Sequence, residues 1–139
     1  MTRASAPASA ATAGANAAVK GIGIDAVEVD RFRMVLARTP GVARRLFTDA
    51  ERAYGARRRD PAERLAARFA AKEAVMKALG VGLGAFSFHD VEVTRARSGQ
   101  PALALRGRAA ALAAQHGVTA WHVSLTHTHR VAEAVVVAT

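Results

Sequence analysis

The chain has no cysteine, which excludes a disulfide framework and any thiolate-bound metal and leaves packing, alone or with subunit association, to hold the fold. A reducing cytoplasm fits that absence without being required by it. Aromatic residues are scarce, 5% of the chain with one Trp and one Tyr. A nucleic-acid binder would interleave basic residues with stacking aromatics, so that reading ranks low despite the positive charge. No apolar run approaches the roughly 18 residues of a membrane span. The longest aliphatic stretch, Val131 to Ala138, is short and contains Glu133. Acidic residues are the minority, 11 Asp+Glu against 20 Lys+Arg for a formal net charge of +9. The molecule therefore attracts anions such as polyphosphate cofactors, anionic lipid or acidic proteins, and composition does not choose among them.

What is present suffices for one domain. The chain has 139 residues, 51% of them hydrophobic, enough for a single core and too few for two. The first eighteen residues are half alanine with Ser, Thr, Pro and Gly, and they lack the h-region of a secretory signal. They read as a flexible tail, or as the product of a start codon placed too far upstream, ahead of a domain over residues 19–139.

Val19 to Val29 mixes β-branched residues with glycine, predicting a strand that ends near Asp25 and is closely approached by another backbone or a ligand. Glu28 to Arg38 has helical spacing and places Arg31 and Arg38 on a common basic face. Thr48 and Glu51 form a capping-box pattern for a short helix from Asp49 to about Ala56. Asp60 as N-cap, Pro61 as first residue and Glu63 as the reaching carboxylate open a long helix that closes at Gly80. Beyond it lie a strand from Phe86 to Arg95, a turn at Ser98–Pro101, a strand at Ala102–Leu105 and an alanine-rich helix at Arg106–His116. Strands at Thr119–Leu125 and Val131–Ala138 complete an α+β fold with a mainly antiparallel sheet.

Several residues are candidates for chemistry. Asp25 at a strand end is, taken alone, a turn cap. Glu73, four residues before Lys77, reads first as half of a surface ion pair. Together, two carboxylates from different elements suit a hard divalent cation that keeps several waters and takes phosphate oxygens, and Glu28, Asp30 or Asp90 would suit it by residue type as well. His122, His127 and His129 invite a zinc reading that lacks a fourth ligand. Ser124 with His127 lacks a nucleophile elbow or an orienting acid. The glycines at 80, 82 and 84 follow a helix C-terminus, the wrong end for dipole-assisted phosphate binding. The arginines at 57 to 59 read as a solvated loop.

Three segments in order, GIGIDAVEVDR at 21–31, the stretch from Phe47 to Gly80 containing RFAAKEA, and HVSLTHT at 122–128, closely resemble the holo-acyl-carrier-protein synthase family. The resemblance runs from about residue 19 to the C-terminus. It implies a magnesium-dependent enzyme that moves 4′-phosphopantetheine from coenzyme A to a serine of an apo acyl carrier protein and releases adenosine 3′,5′-bisphosphate. The residues do not choose between a carrier protein of fatty-acid synthesis and one of polyketide synthesis. By position the resemblance makes Asp25 and Glu73 the metal ligands and sets Lys77 against the coenzyme A phosphates. It puts Arg68 at the nucleotide end, lines the same pocket with His127, and places Gly80 and Gly82 beside the cofactor. Arg31 and Arg38 match positions that meet the acidic helix of the carrier protein, and a homotrimer with interfacial active sites is implied. Glu73, His127 and a water on the metal stay open as acceptors of the serine proton. Two departures stand out: Val81 replaces the usual threonine of a GTG element, and His129 and Arg130 replace commoner small or polar residues. A metal-dependent phosphohydrolase is the closer enzymatic rival, although such enzymes hold two metals with a denser ligand set.

Overall fold

Glycine alternating with β-branched residues gives an extended first element. In the computed structural model, which describes residues 18–139, that element is β1 (Gly21–Glu28). It is followed by α1 (Val29–Arg38), α2 (Val42–Leu46), α3 (Asp49–Gly55) and α4 (Ala62–Ala78). A short 3-10 turn (Phe88–Asp90) leads into β2 (Val91–Arg95), β3 (Pro101–Leu105), α5 (Gly107–Gln115), β4 (Trp121–His127) and β5 (Val131–Ala138). The α+β class and the antiparallel pairing agree with the sequence reading, but the strands form two sheets. One has the order β1-β5-β4 and the other is the β2-β3 hairpin. The alanine-rich stretch assigned as a tail lies, except for Ala18, outside the described residues. Among those residues no helix is long and apolar enough to cross a membrane.

α4 is the axis of the molecule. It is built almost entirely of good helix formers, and Leu65, Ala66, Ala67, Ala70, Ala71, Ala74, Val75 and Met76 are all buried, as befits a helix covered on most sides. Its N-terminal half packs with Val29, Phe32, Phe47 and Ala132, its C-terminal half with Val91, Val93, Ala109, Ala113, Ala134 and Val136. The sheet side is closer still. A Cβ on Gly23 would come 1.7 Å from the Ala74 carbonyl oxygen, and one on Gly21 would come 1.9 Å from that of Ala78. The expected close approach is thus the backbone of α4, and only glycine permits it.

The capping box forms as predicted. Thr48 Oγ1 accepts from Glu51 N at 3.3 Å, and Glu51 Oε1 accepts from Thr48 N at 3.0 Å. The same carboxylate continues inward, where Oε1 lies 2.7 Å from Lys72 Nζ and Oε2 accepts from Val93 N at 3.1 Å. Lys72 Nζ also donates to the carbonyls of Phe88 at 2.8 Å and Val91 at 2.7 Å. All three ammonium protons are used, and both side chains are fully buried. Burial pulls the Lys72 ammonium below its usual pKa, and Glu51 opposes that shift.

Several boundaries differ from expectation. β1 runs on to Glu28, paired with β5 from Gly21↔Ala138 to Glu28↔Val131, so Asp25 lies within the strand rather than at its end. α2 was not anticipated, being a single turn between Gly41 and Phe47. The stretch from Phe86 to Asp90 is not strand. It turns so that Asp90 Oδ2 can accept from Arg108 N at 3.2 Å and cap α5. Asp60 does cap α4, with Oδ1 accepting from Ala62 N at 3.1 Å, and its other oxygen accepts from Arg33 Nε at 2.8 Å. Glu63 does not reach back to close that cap, because two histidines claim its carboxylate.

Removing Glu51 leaves a buried ammonium with two carbonyl partners and no counter-charge. Glu51→Ala is therefore expected to lower the unfolding free energy by about 3–5 kcal/mol, against about 1 kcal/mol for Thr48→Ala, which loses only the cap. Denaturant titration of the two variants checks this, and equal losses would show that the ion pair adds nothing to the cap.

Candidate active site

Odd-numbered residues of β1 face α4, as the glycine contacts show, and the period of two turns Asp25 the same way. Lys77, in the last turn of α4, meets it. Its Nζ donates to Asp25 Oδ1 at 3.0 Å and to the Ile24 carbonyl at 2.9 Å. Lys77 thus pairs across to β1 and not, as the helix spacing suggested, with Glu73 along its own helix. Glu73 follows the anchored Lys72 and lies about 100° further round the helix. It opens into a cavity of about 400 Å³ that Asp25, Glu28, Arg31, Phe32 and Phe69 also line. Burial raises the pKa of the Glu73 carboxyl, the Asp25 charge raises it further, and Lys77 counteracts both. Asp25, Glu28 and Glu73 therefore share this cavity with the Arg31 guanidinium, and Lys77 engages Asp25 from outside its lining.

A second and larger cavity, about 660 Å³, lies where α3, α4 and the ends of β2 and β4 converge. Its wall carries Arg58, Arg59, Arg64, Arg68 and Arg95 with His127 and Glu63. The Tyr54 ring is the hub, with the guanidinium carbons of Arg68, Arg64, Arg95 and Arg57 at 4.0, 4.6, 5.0 and 5.6 Å from its centroid. The ring face offsets part of the repulsion among these cations. Arg68 is 3% exposed, its pKa is lowered by burial, and its Nε has no partner among the described residues. Convergent guanidiniums with an unsatisfied buried donor have the chemistry to bind an anionic group such as a phosphate.

Asp25, Glu73, Lys77 and Arg31 thus gather at one site, and Arg68 and His127 at another. Arg38 is exposed at the end of α1. Gly80 and Gly82 line neither cavity. Gly80 has φ +68° and closes α4, with its N–H donating to the Lys77 carbonyl and that of Val81 to the Met76 carbonyl, the two bonds of a Schellman motif. Val81 packs against the core. Of the other carboxylates weighed, Glu28 lines the Asp25 cavity, whereas Asp30 is paired with Arg33 and Asp90 caps α5. His122 and Ser124 differ in parity from His127 along β4 and face the other side of the sheet, which removes the zinc and nucleophile readings. Among the described residues no group of three or more His, Asp or Glu side chains is disposed to hold a metal. Sequence reasoning missed Tyr54, Arg64, Arg95 and Glu63. The one available signal was the i, i+4 pair Arg64/Arg68 directly after the arginine run.

Paired carboxylates and convergent guanidiniums are groups that enzymes use to handle phosphorylated ligands. The family model described as the 4′-phosphopantetheinyl transferase superfamily matches residues 21–136, and the chain belongs to that family. A holo-[acyl-carrier-protein] synthase of Frankia alni is 55% identical over 121 residues, covering 87% of this chain and 98% of the relative. The crystal structure of the Neisseria meningitidis holo-[acyl-carrier-protein] synthase superposes with a TM-score of 0.78 at 30% identity, covering 88% of this chain and 99% of that one. The Bacillus anthracis enzyme, solved in complex with CoA (3′,5′-ADP), gives 0.72 at 33% identity over 86% and 96% of the two chains. The protein is an enzyme of the phosphopantetheinyl transferase class.

The raised Glu73 pKa has a measurable consequence. A carboxyl whose folded pKa lies above its unfolded value favours folding in its neutral form, so stability is lost as pH rises from the ordinary carboxylate range through the raised value. In chelator, Glu73→Gln is expected to raise the unfolding midpoint at neutral pH, and the gain should vanish near about pH 4, where the carboxyl is largely protonated in both states. A midpoint difference independent of pH would show that Glu73 carries no such penalty.

Proposed function

We propose that this chain transfers 4′-phosphopantetheine from coenzyme A to the serine of an apo acyl carrier protein, with magnesium, and releases adenosine 3′,5′-bisphosphate. The observation that carries the reading is the shared cavity of Asp25 and Glu73, supplied by β1 and α4 and bordered by Lys77. The donor set fits magnesium: two carboxylates held close enough that one raises the pKa of the other suit an ion that completes its shell with water and phosphate oxygens. Bound by Asp25 and Glu73, the ion would neutralise charge on the diphosphate.

The rest of the chemistry is alignment. The carrier serine oxygen bonds to the phosphorus nearest pantetheine as the bond from that phosphorus to the bridging oxygen breaks, and the electron pair leaves with adenosine 3′,5′-bisphosphate. Lys77, on the rim beside Asp25, offsets charge on that leaving group. Glu73, in the cavity proposed to receive the diphosphate, takes the serine proton. Arg68 and His127, in the arginine cavity, hold the anionic nucleotide end, with Arg64 and Arg95 adding charge around Tyr54.

Support for assembly comes from the outer face of the three-stranded sheet. Ile22, Ile24 and Val135 are 64%, 63% and 38% exposed there, an apolar surface that supports a homotrimer. In such an assembly the carboxylate cavity of one subunit and the arginine cavity of its neighbour would serve one coenzyme A. Arg31 and Arg38 lie on α1 with Met34 and Val35, 48% and 39% exposed, between them, a basic and apolar surface suited to an acidic carrier helix. The lack of cysteine and of a membrane-spanning helix among the described residues supports a cytoplasmic setting.

Mass spectrometry of an apo carrier protein incubated with the enzyme, magnesium and coenzyme A should show the mass of one phosphopantetheine, and Asp25→Ala should abolish that gain while keeping its thermal unfolding transition. Normal turnover by Asp25→Ala would overturn the assignment. For the carrier surface Arg38→Glu is the cleaner substitution, since Arg31 also lines the carboxylate cavity. It should raise KM for the carrier about tenfold, equivalent to roughly 1.4 kcal/mol, and leave KM for coenzyme A within about twofold. Equal changes in both constants would count against a separate docking surface.

A further inference from the structure

Glu63 stands in the first turn of α4 on the wall of the arginine cavity, a carboxylate among five guanidiniums. Electrostatics alone would pair it with an arginine. It pairs instead with two histidines, His127 at the end of β4 and His129 in the turn to β5: Oε1 is hydrogen-bonded to His129 Nδ1 at 2.9 Å, and Oε2 lies 3.3 Å from His127 Nδ1. The Glu63 side chain is 27% exposed, that of His127 44% and that of His129 100%. The carboxylate is thus pinned on its solvent side by His129 and turned with its inner oxygen to His127. The other acid on this wall, Asp60, is taken up by Arg33 and the α4 cap.

We propose that Glu63 is a positioning residue for His127, steadied by His129, and that it directs His127 Nε2 toward the anionic group held in the arginine cavity. The logic is that of a metal-bound or catalytic imidazole whose far nitrogen is held by a carboxylate. With Nδ1 carrying a proton toward Glu63, Nε2 is the nitrogen left to meet the ligand, and the ring plane is fixed. A free imidazole at the end of β4 would sample other orientations, and the neighbouring arginines would repel its protonated form. The carboxylate counters that repulsion without entering the ligand's place, because its second oxygen is occupied by His129. The inference deepens the assignment of the arginine cavity to the nucleotide end of coenzyme A and rests on it for the identity of the ligand, but not for the geometry of the clamp.

The test combines imidazole ¹⁵N shifts of the free protein with steady-state kinetics. Wild type is expected to show Nδ1 of His127 protonated, and Glu63→Ala to lose that preference. In the same variant KM for coenzyme A should rise about tenfold with kcat within about twofold, the size of effect seen when the partner of an imidazole is removed. Glu63→Gln, whose amide oxygen still accepts a hydrogen bond, should recover most of the loss. It also serves as the second variant should Glu63→Ala fold poorly. Unchanged His127 shifts and unchanged KM in both variants, beside an active wild type, would overturn the clamp. A wild-type protein that shows the imidazole signature yet neither binds nor uses coenzyme A would leave the clamp standing and sink the functional reading instead.

Discussion

The ion pair between Glu51 and Lys72 is the constraint on which the site depends. α4 is buried chiefly through alanines, which have no side-chain shape to lock a helix at one rotation, so its packing alone specifies orientation weakly. Lys72 supplies that missing definition. Its ammonium is fixed by the carboxylate that caps α3 and by two carbonyls at the entrance to β2. The desolvation penalty of two buried charges is large, and an apolar pair of similar volume would serve stability equally well. What an apolar pair would not provide is direction. Because Glu73 is the next residue, fixing Lys72 fixes the bearing of the carboxylate beside it, and α3, α4 and β2 are brought into one frame.

The second requirement is the contact of β1 with α4. Two strand residues span about 6.6 Å and four helix residues about 6 Å, so Gly21 against Ala78 and Gly23 against Ala74 match one step of the strand pattern to one helical turn. The next inward position, Asp25, therefore falls one turn further toward the N-terminus of α4, near Ala70, and the long Lys77 side chain reaches along the strand to meet it. A side chain at either glycine would lift the strand off the helix and separate the two carboxylates. The glycines at 21 and 23 are thus part of the site through geometry, although no ligand need touch them.

Much of this was legible in the sequence, because the relevant signals are local. The capping box, the Asp60 start and Gly80 stop of α4, the hairpin turn and the final two strands each rest on a few neighbouring residues. The close approach at GIGID also followed from its glycines. What the sequence could not show was convergence from a distance. The arginine cavity draws Tyr54 from α3, Arg68 from α4, Arg95 from β2 and His127 from β4, and a run such as Arg57–Arg59 carries no mark of what it will face. Glu63 illustrates the same limit. At position three of a helix a glutamate reads as a cap, and only tertiary placement brings histidines 64 and 66 residues later into competition for it. The end of β1 was misjudged because an aspartate resembles a terminator, whereas here antiparallel pairing with β5 carries the strand through it.

The C-terminal end of α4 restricts how a diphosphate can be held. The hydroxyl that a threonine would offer is absent at Val81, whose side chain belongs to the core. The amides of Gly80 and Val81 are no substitute, since both donate to carbonyls of the last helical turn, and the helix dipole at this end disfavours an anion. A phosphate near this turn must therefore rely on the Lys77 ammonium, which Asp25 and the Ile24 carbonyl hold on the strand side of the helix. In the proposed reaction the remaining anionic charge of the coenzyme would be met elsewhere, among the guanidiniums around Tyr54. A ligand that engages both must extend from the carboxylate cavity toward an arginine cavity. The polar side chains thus favour a long ligand with phosphates at separated positions over a compact one, which sets a phosphopantetheinyl donor apart from a simple phosphate ester.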